Sequence, residues 1–197
     1  GNSCGEGVEC QNGTCGCPNE GSLCGQSCVN LDRDPDNCGA CGNECQDDFV
    51  CEYGYCAPNA EVAGVVHYTN QMRAESRDCE GDGQTEEAVP AVEPNAELHE
   101  AALVHSEDMA EMQTLSHAGS DGSDFSVRIS RTDYTGSPGG ENIANGQPTP
   151  QEVVDDWINS PGHCVNIMNG DFDEIGVGVV EDAPGGPWWT QVFGSRN

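Results

Sequence analysis

The chain has no lysine, few aromatic side chains (6%) and no apolar run longer than a few residues. Each absence excludes something. Six arginines against 35 acidic residues leave a net charge of −29, with no basic patch to neutralise phosphates, so nucleic acid and anionic membrane surfaces are excluded as partners. No segment is long and apolar enough for a transmembrane span. The opening Gly1-Asn2-Ser3-Cys4 lacks a basic n-region and an apolar h-region, and reads as a mature or trimmed product. A hydrophobic content of 35% over 197 residues allows one modest core plus a small satellite, not two large cores. The acidity suits an extracellular setting where salt or divalent cations screen self-repulsion, although solubility alone is the plainer reason for it.

What the chain does have is cysteine. Eleven of its 13 cysteines fall between Cys4 and Cys56. A cytosolic chain would need metal clusters to occupy them, whereas a secreted chain oxidises them. The composition therefore predicts a secreted protein, free or associated with a cell surface. It also divides the chain at Ala57-Pro58-Asn59. Residues 1–57 are rich in Cys, Gly, Asn and Asp and lack helical periodicity, and they read as a small disulfide-rich, loop-dominated module. Residues 60–197 carry amphipathic segments and only Cys79 and Cys164.

In the second module Val62, Val65, Val66, Thr69 and Met72 recur at helical spacing. A second helix opens near Pro94-Asn95, with Leu98, Ala101, Ala102, His105 and Met109 as its buried stripe, and ends around Met112. Thr149-Pro150-Gln151-Glu152 places a capping hydroxyl, a first-turn proline and a returning carboxylate at the start of a third. That helix buries Val153, Val154, Trp157 and Ile158, and Pro161-Gly162 is expected to stop it. Segments 174–181 and 188–193 read as strands joined by a Gly/Pro turn. Helices followed by strands predict an α+β layered domain.

Within the first module, Asn37-Cys38-Gly39-x-Cys41-Gly42 and its surroundings resemble the Stig1-like repeats of secreted bacterial proteins. Cys38-x-x-Cys41 also has the spacing of half a zinc site, but no second pair completes a tetrahedral set, so disulfides are favoured. Connectivity stays open, and an odd cysteine is left over. Asp32-x-Asp34-x-Asp36 mimics the opening of a calcium loop, yet Asn37 and Asn43 stand where glycine and glutamate are required. A looser Ca2+ contact stays open beside the plainer reading of a solvated acidic turn. Asn12-Gly13-Thr14 matches a glycosylation acceptor.

Six short motifs carry the functional reading: Asn70-x-x-Arg73, His105-Ser106-x-Asp108-Met109-Ala110, Ser116-His117, Gly140-Glu141-Asn142-Ile143-Ala144, Ser160-Pro161-Gly162-His163-Cys164, and Trp188 to Gly194. Their order and spacing resemble the bacterial branch of the CAP (SCP-like) superfamily, from about Val62 to Gly194. The resemblance implies an α-β-α sandwich whose surface cleft holds His117, His163 and Glu141. A carboxylate beside an imidazole fixes its tautomer, and two converging imidazoles begin a zinc or copper site, so His117 and His163 are the metal candidates, for Zn2+ or another divalent ion. The plainer alternatives are a helix-capping His163 and a Glu141 bonded to a backbone turn. His67, His99 and His105 read as ordinary helical histidines, only His105 lying on an apolar face.

The pattern also departs from the family. Ile158-Asn159-Ser160 holds no acid where many animal members supply a second cleft glutamate; Asp155 and Asp156 precede Trp157 in a different direction. The animal signature after the cleft histidine is replaced by Gly162-His163-Cys164-Val165-Asn166. By the same resemblance Cys79 and Cys164 form a bridge, closing a loop of about 86 residues worth roughly 4–5 kcal/mol in the chain-entropy model. A catalytic thiol at Cys164 is the disfavoured alternative.

Three functions stay open. The first is a binding protein that uses the cleft for a metal and a small apolar, lipid or glycan ligand. The second is a hydrolase with His117, Glu141 and His163 as catalytic groups acting on Ser116, Ser160 or water. The third is an extracellular interaction protein, with a protein partner for the Cys-rich module and a vestigial cleft.

Overall fold

The computed structural model describes residues 9–11, 14–17, 21–47 and 49–196, with backbone only for 9–11, 14 and 15. The chain divides into two compact units, 1–63 and 64–197.

The first unit is three short antiparallel hairpins, β1 (Glu9–Gln11) with β2 (Thr14–Gly16), β3 (Ser22–Cys24) with β4 (Ser27–Val29), and β5 (Val50–Glu52) with β6 (Tyr55–Ala57). Strands of three residues bury too little to hold themselves together, and disulfides take over that task. Cys17–Cys28, Cys24–Cys41, Cys38–Cys51 and Cys45–Cys56 interlock the segments between Cys17 and Cys56. Cys38 and Cys41 therefore belong to different bridges, which removes the half zinc site. Cys38, Cys45 and Cys56 bring their sulfurs within 4.8 Å of one another, but as disulfide sulfurs they are not thiolate ligands. The remaining question of Cys4, Cys10 and Cys15, and the Asn12 acceptor, lie outside the described side chains.

Helix α1 (Ala60–Arg73) carries the chain into the second unit. There a four-stranded sheet runs in the order β7-β9-β10-β8, built from β7 (Glu93–Pro94), β8 (Ser137–Asn145), β9 (Glu174–Val180) and β10 (Trp188–Ser195). Strand β10 is antiparallel to both neighbours and β7 is parallel to β9. The helices are α2 (Ala96–Met112), α3 (Phe125–Ile129), α4 (Pro150–Ile158) and α5 (Pro161–Ile167). Among the described residues no helix is long and apolar enough to cross a membrane.

The alternation of β10 sorts the layers. Val192 packs with Leu98, Ala101 and Ala102 of α2 and with Ile129. Its neighbour Gln191 faces the other way and donates to Thr69 Oγ1 of α1 at 2.8 Å. The sheet is thus covered on both faces, an α+β sandwich. Helix α2 starts where Asn95 Oδ1 accepts from Leu98 N (2.9 Å) and ends at Gln113 in the left-handed region. Helix α4 starts on the Thr149 cap and Pro150.

Besides α3 and β7, which the sequence did not mark, two elements and one residue differ from the sequence reading. Strand β8 opens on Ser-Pro-Gly-Gly, which carries no alternating apolar signal. Helix α5 begins at Pro161, where a stop was expected, because proline is as well suited to a first turn as to a terminator. His99, read as an ordinary helical histidine off the apolar face, lies on the packed side of α2 and donates from Nδ1 to Val177 O of β9.

Close packing of α2 on β9 depends on Gly176 and Gly178. A Cβ at either would overlap backbone atoms of Leu98 or Ala102. Gly176→Ala is expected to cost about 3 kcal/mol, the upper end of overpacking, whereas a Cβ at Gly162, with nothing within 4 Å, should cost nothing. Urea unfolding of both variants checks this; equal midpoints would show that α2 does not sit as described.

Burial holds the His99 ring below its usual 6.5, against the raising effect of its bond to Val177. The folded state thus prefers the neutral ring, and the unfolded state takes up the proton more readily. Stability should be unaffected above about pH 7.5 and fall as pH drops through 6.5. Urea unfolding at several pH values is expected to show wild type losing more stability on acidification than His99→Gln; parallel profiles would remove His99 from the account.

Candidate functional site

Strand β8 is an edge strand, and its alternation sends adjacent polar residues to opposite layers. Glu141 faces α2 and α3, and Asn142 faces α1 and α5. Both are buried, so each must find partners.

Glu141 finds cations and imidazoles. His117 Nδ1 donates to Glu141 Oε1 at 2.9 Å, and Arg128 Nη2 donates to Oε2 at 2.5 Å. The Glu141 and Arg128 side chains are only 1% and 4% exposed. His105 Nε2 lies 3.9 Å from Oε1. Short α3 exists to aim Arg128: Asp124 caps it by accepting from Val127 N (2.9 Å), and Arg128 Nη1 also donates to Ser123 O (2.9 Å).

The same groups hold the backbone that presents His117. His105 Nε2 donates to Ser116 O at 2.9 Å, and both terminal nitrogens of Arg128 reach His117 O at 3.3 Å. Complete burial pushes the His105 ring down, outweighing the attraction of Glu141 for its proton, so the ring is neutral with its hydrogen on Nε2. Its Nδ1 is buried with no partner among the described residues. His117 itself is 59% exposed in its side chain. Its Nδ1 is engaged on Glu141, and Nε2 is the ring nitrogen not used in that bond.

His163 enters from the other layer, in the first turn of α5. Three contacts fix that helix. Asn142 Nδ2 donates to His163 O (3.3 Å) and Asn166 Nδ2 to Asn142 Oδ1 (2.8 Å). Cys164 is bonded to Cys79, with Cα atoms 5.4 Å apart, and so is no free thiol. Arg73, fully buried, donates to Pro90 O, Ile167 O, Asn169 O and Phe172 O at 2.6–2.9 Å. Burial pushes its guanidinium down to about 10, yet it remains a cation satisfied wholly by carbonyl dipoles. The half-buried His163 ring is held below its usual value chiefly by burial, with a smaller lowering from His117.

The structure therefore sets His117 on Glu141, and places His163 on α5 beyond Asn142. It does not bring three ligand atoms of this trio within 4.8 Å of one another; among the described residues only the disulfide sulfurs named above do so. Nor does it supply the second acid: Asp156 accepts from Gln147 Nε2 (2.8 Å), and neither it nor Asp155 bonds a cleft histidine among the described residues. Ser116 Oγ closes on its own turn, with Ala118 O at 3.0 Å and Ala118 N at 3.1 Å. Sequence reasoning missed Arg128 and the part played by His105. No local signal marked either one: of the six arginines only Arg73 and Arg128 are buried, and nothing in the sequence around Arg128 separates it from the other four.

Removing one partner of a buried ion pair costs about 3–5 kcal/mol, far more than replacing both. Arg128→Met should destabilise by that order, and Arg128→Met combined with Glu141→Leu should recover most of the loss. Thermal or urea unfolding measures it; additive losses would mean that the carboxylate does not depend on Arg128.

Residues 66–193 match the family model of the cysteine-rich secretory protein family, CAP. The chain is 43% identical over 97 residues to the uncharacterized protein YkwD of Bacillus subtilis, covering 49% of this chain and 36% of that protein. It is 34% identical over 104 residues to the uncharacterized membrane protein YlbC of the same organism, covering 53% and 28%. It thus spans about a third of the length of these relatives. Among solved structures, an extracellular SCP-domain protein from Bacillus anthracis superposes with a TM-score of 0.58 at 25% identity, over 70% of this chain and 41% of that one. An outer surface protein from Borrelia burgdorferi gives 0.51 at 26%, over 55% and 80%. With its family motifs spread through both layers of the sandwich, the chain belongs to the CAP family of cysteine-rich secretory proteins.

Proposed function

We propose that this is a secreted or surface-associated binding protein whose cleft holds a divalent metal, Zn2+ first among candidates, through His117 Nε2 and His163. The observation that carries this reading is the Glu141 contact. A buried carboxylate accepting Nδ1–H is the usual outer partner of a metal-ligating histidine, fixing its tautomer and raising its basicity. Both Glu141 oxygens are already engaged, so Glu141 orients and does not ligate. Two nitrogen ligands leave the remaining coordination positions to water or to a bound lipid or glycan. The hydrolase reading is weaker, because the Ser116 hydroxyl is committed to its own turn and no serine stands on the His117–Glu141 pair. The extracellular neighbours and the disulfides support secretion.

We read residues 1–57 as a Stig1-like module preceding a CAP domain over 60–197. The Asn37 to Gly42 core, tied at Cys38 and Cys41 into separate bridges, supports that assignment, and the module's role is to engage an extracellular protein partner.

Zn2+ titrated into the metal-stripped protein by calorimetry is expected to bind at one site. His117→Ala and His163→Ala should abolish it, and Glu141→Gln should weaken it by about 10- to 100-fold. Undiminished binding in both histidine variants would sink the reading.

A further inference from the structure

A cavity of about 540 Å³ opens on the same face of the sheet as Glu141, with the central strand β10 between them. It lies between the start of α2 and the segment 133–136, and its wall includes Asn95, Asp133, Tyr134, Thr135, Glu174 and Arg196. Nothing in the histidine cleft uses it.

The wall is polar and pre-organised. Buried Glu174 is held by Asn95 Nδ2 at 3.2 Å, Tyr134 OH at 2.9 Å and Arg196 Nε at 3.1 Å. Burial and the adjoining carboxylate push the Tyr134 phenol upward, so it stays protonated and keeps a lone pair to accept with. Arg196 spends only Nε on Glu174, which leaves the donors of its terminal nitrogens for a ligand. Asp133 contributes an exposed carboxylate acceptor. Donors and acceptors thus line one hollow together, in the size range of small-molecule sites.

Charge narrows the ligand. An anion would meet Asp133 and Glu97 inside a chain of net charge −29. A simple cation would have to displace the Arg196 guanidinium from Glu174. A metal would find both Glu174 oxygens already accepting. Hydroxyl groups donate and accept at once without carrying charge, and so match a wall of both kinds.

We propose that this cavity is a carbohydrate subsite, taking a neutral mono- or disaccharide through the Arg196 terminal nitrogens, the Tyr134 hydroxyl and the Asp133 carboxylate. It is separate from the metal cleft, and its occupancy does not require the metal.

The test uses the full chain and a panel of neutral probes: glucose, galactose, mannose, N-acetylglucosamine and their disaccharides, with spermidine as the cationic control. Backbone amide spectra should show at least one sugar shifting Thr135, Gly136 and Arg196 saturably, in the presence of EDTA as well as in its absence. Tyr134→Phe and Asp133→Ala should each weaken that binding by about five- to tenfold, the effect of one lost hydrogen bond. Asp133 is exposed, so its variant tests the site even if Tyr134→Phe perturbs folding. The proposal is overturned if no sugar of the panel shifts these amides, or if only spermidine does. It is equally overturned if the shifts centre on His117 and His163 and vanish with EDTA, or if neither substitution changes the affinity. Loss of Zn2+ binding with sugar binding intact would reject the metal reading alone.

Discussion

The second unit is organised around one buried carboxylate. Glu141 stands on an edge strand with its side chain almost wholly out of water, and a charge in that position persists only if it is paired and hydrogen-bonded. Arg128 supplies the compensating charge and His117 supplies the hydrogen bond. Each of these then needs support. Arg128 requires α3, and α3 requires the Asp124 cap; His117 requires its backbone to be held, which His105 and Arg128 do through two successive carbonyls. The cost of burying one acid thus specifies the conformation of the whole 116–128 segment. Because His117 donates Nδ1–H to that acid, the same cost decides which ring nitrogen is offered to a ligand.

His163 reaches the neighbourhood by a different route. Period-two alternation turns Glu141 and Asn142 to opposite faces, so one dipeptide addresses both layers across the exposed margin of the sheet. Asn142 links Gln191, Asn166 and the His163 carbonyl, and through Gln191 the chain of amides continues to Thr69 of α1. The Cys79–Cys164 bridge and the Arg73 fan hold the same seven-residue helix from its other sides. A helix this short has little intrinsic stability; covalent and polar anchors make it a fixed platform. Arg73 at the carbonyl end of α5 also complements the helix dipole there.

How much of this was legible follows from which signals are local. Helices α2 and α4 announce themselves through Asn95, Thr149 and Pro150, which act on backbone groups two or three residues away. Strands β9 and β10 show as apolar runs ending at turn residues. The segments containing His117, Glu141 and His163 stand out in the sequence as short family motifs. What stayed hidden is non-local. Strand β8 begins with four residues of turn chemistry and becomes a strand because β10 pairs with it. Proline at 161 is ambiguous, since only the position of the next carbonyl partners decides whether it ends α4 or begins α5. Arg128 belongs to no motif, and His105, though inside one, reads locally as an ordinary helical histidine. Their importance appears only when a carboxylate 13 or 36 residues later in the chain is brought against them.

The missing second acid bears on what such a cleft can be. With Asp156 committed to Gln147, no carboxylate among the described residues raises the proton affinity of His163, and burial together with His117 lowers it. A ring biased toward its neutral form is a poor store for a catalytic proton at acidic pH and a good electron-pair donor at neutral pH. His117 differs in having its Nδ1 held by the Glu141 carboxylate. Two imidazoles, one biased toward its neutral form and one oriented by an acid, are the pair on which the proposed donor role rests. That asymmetry, together with the absence of an acid from Ile158-Asn159-Ser160, is what favours the proposed ligand-holding reading over the hydrolytic one.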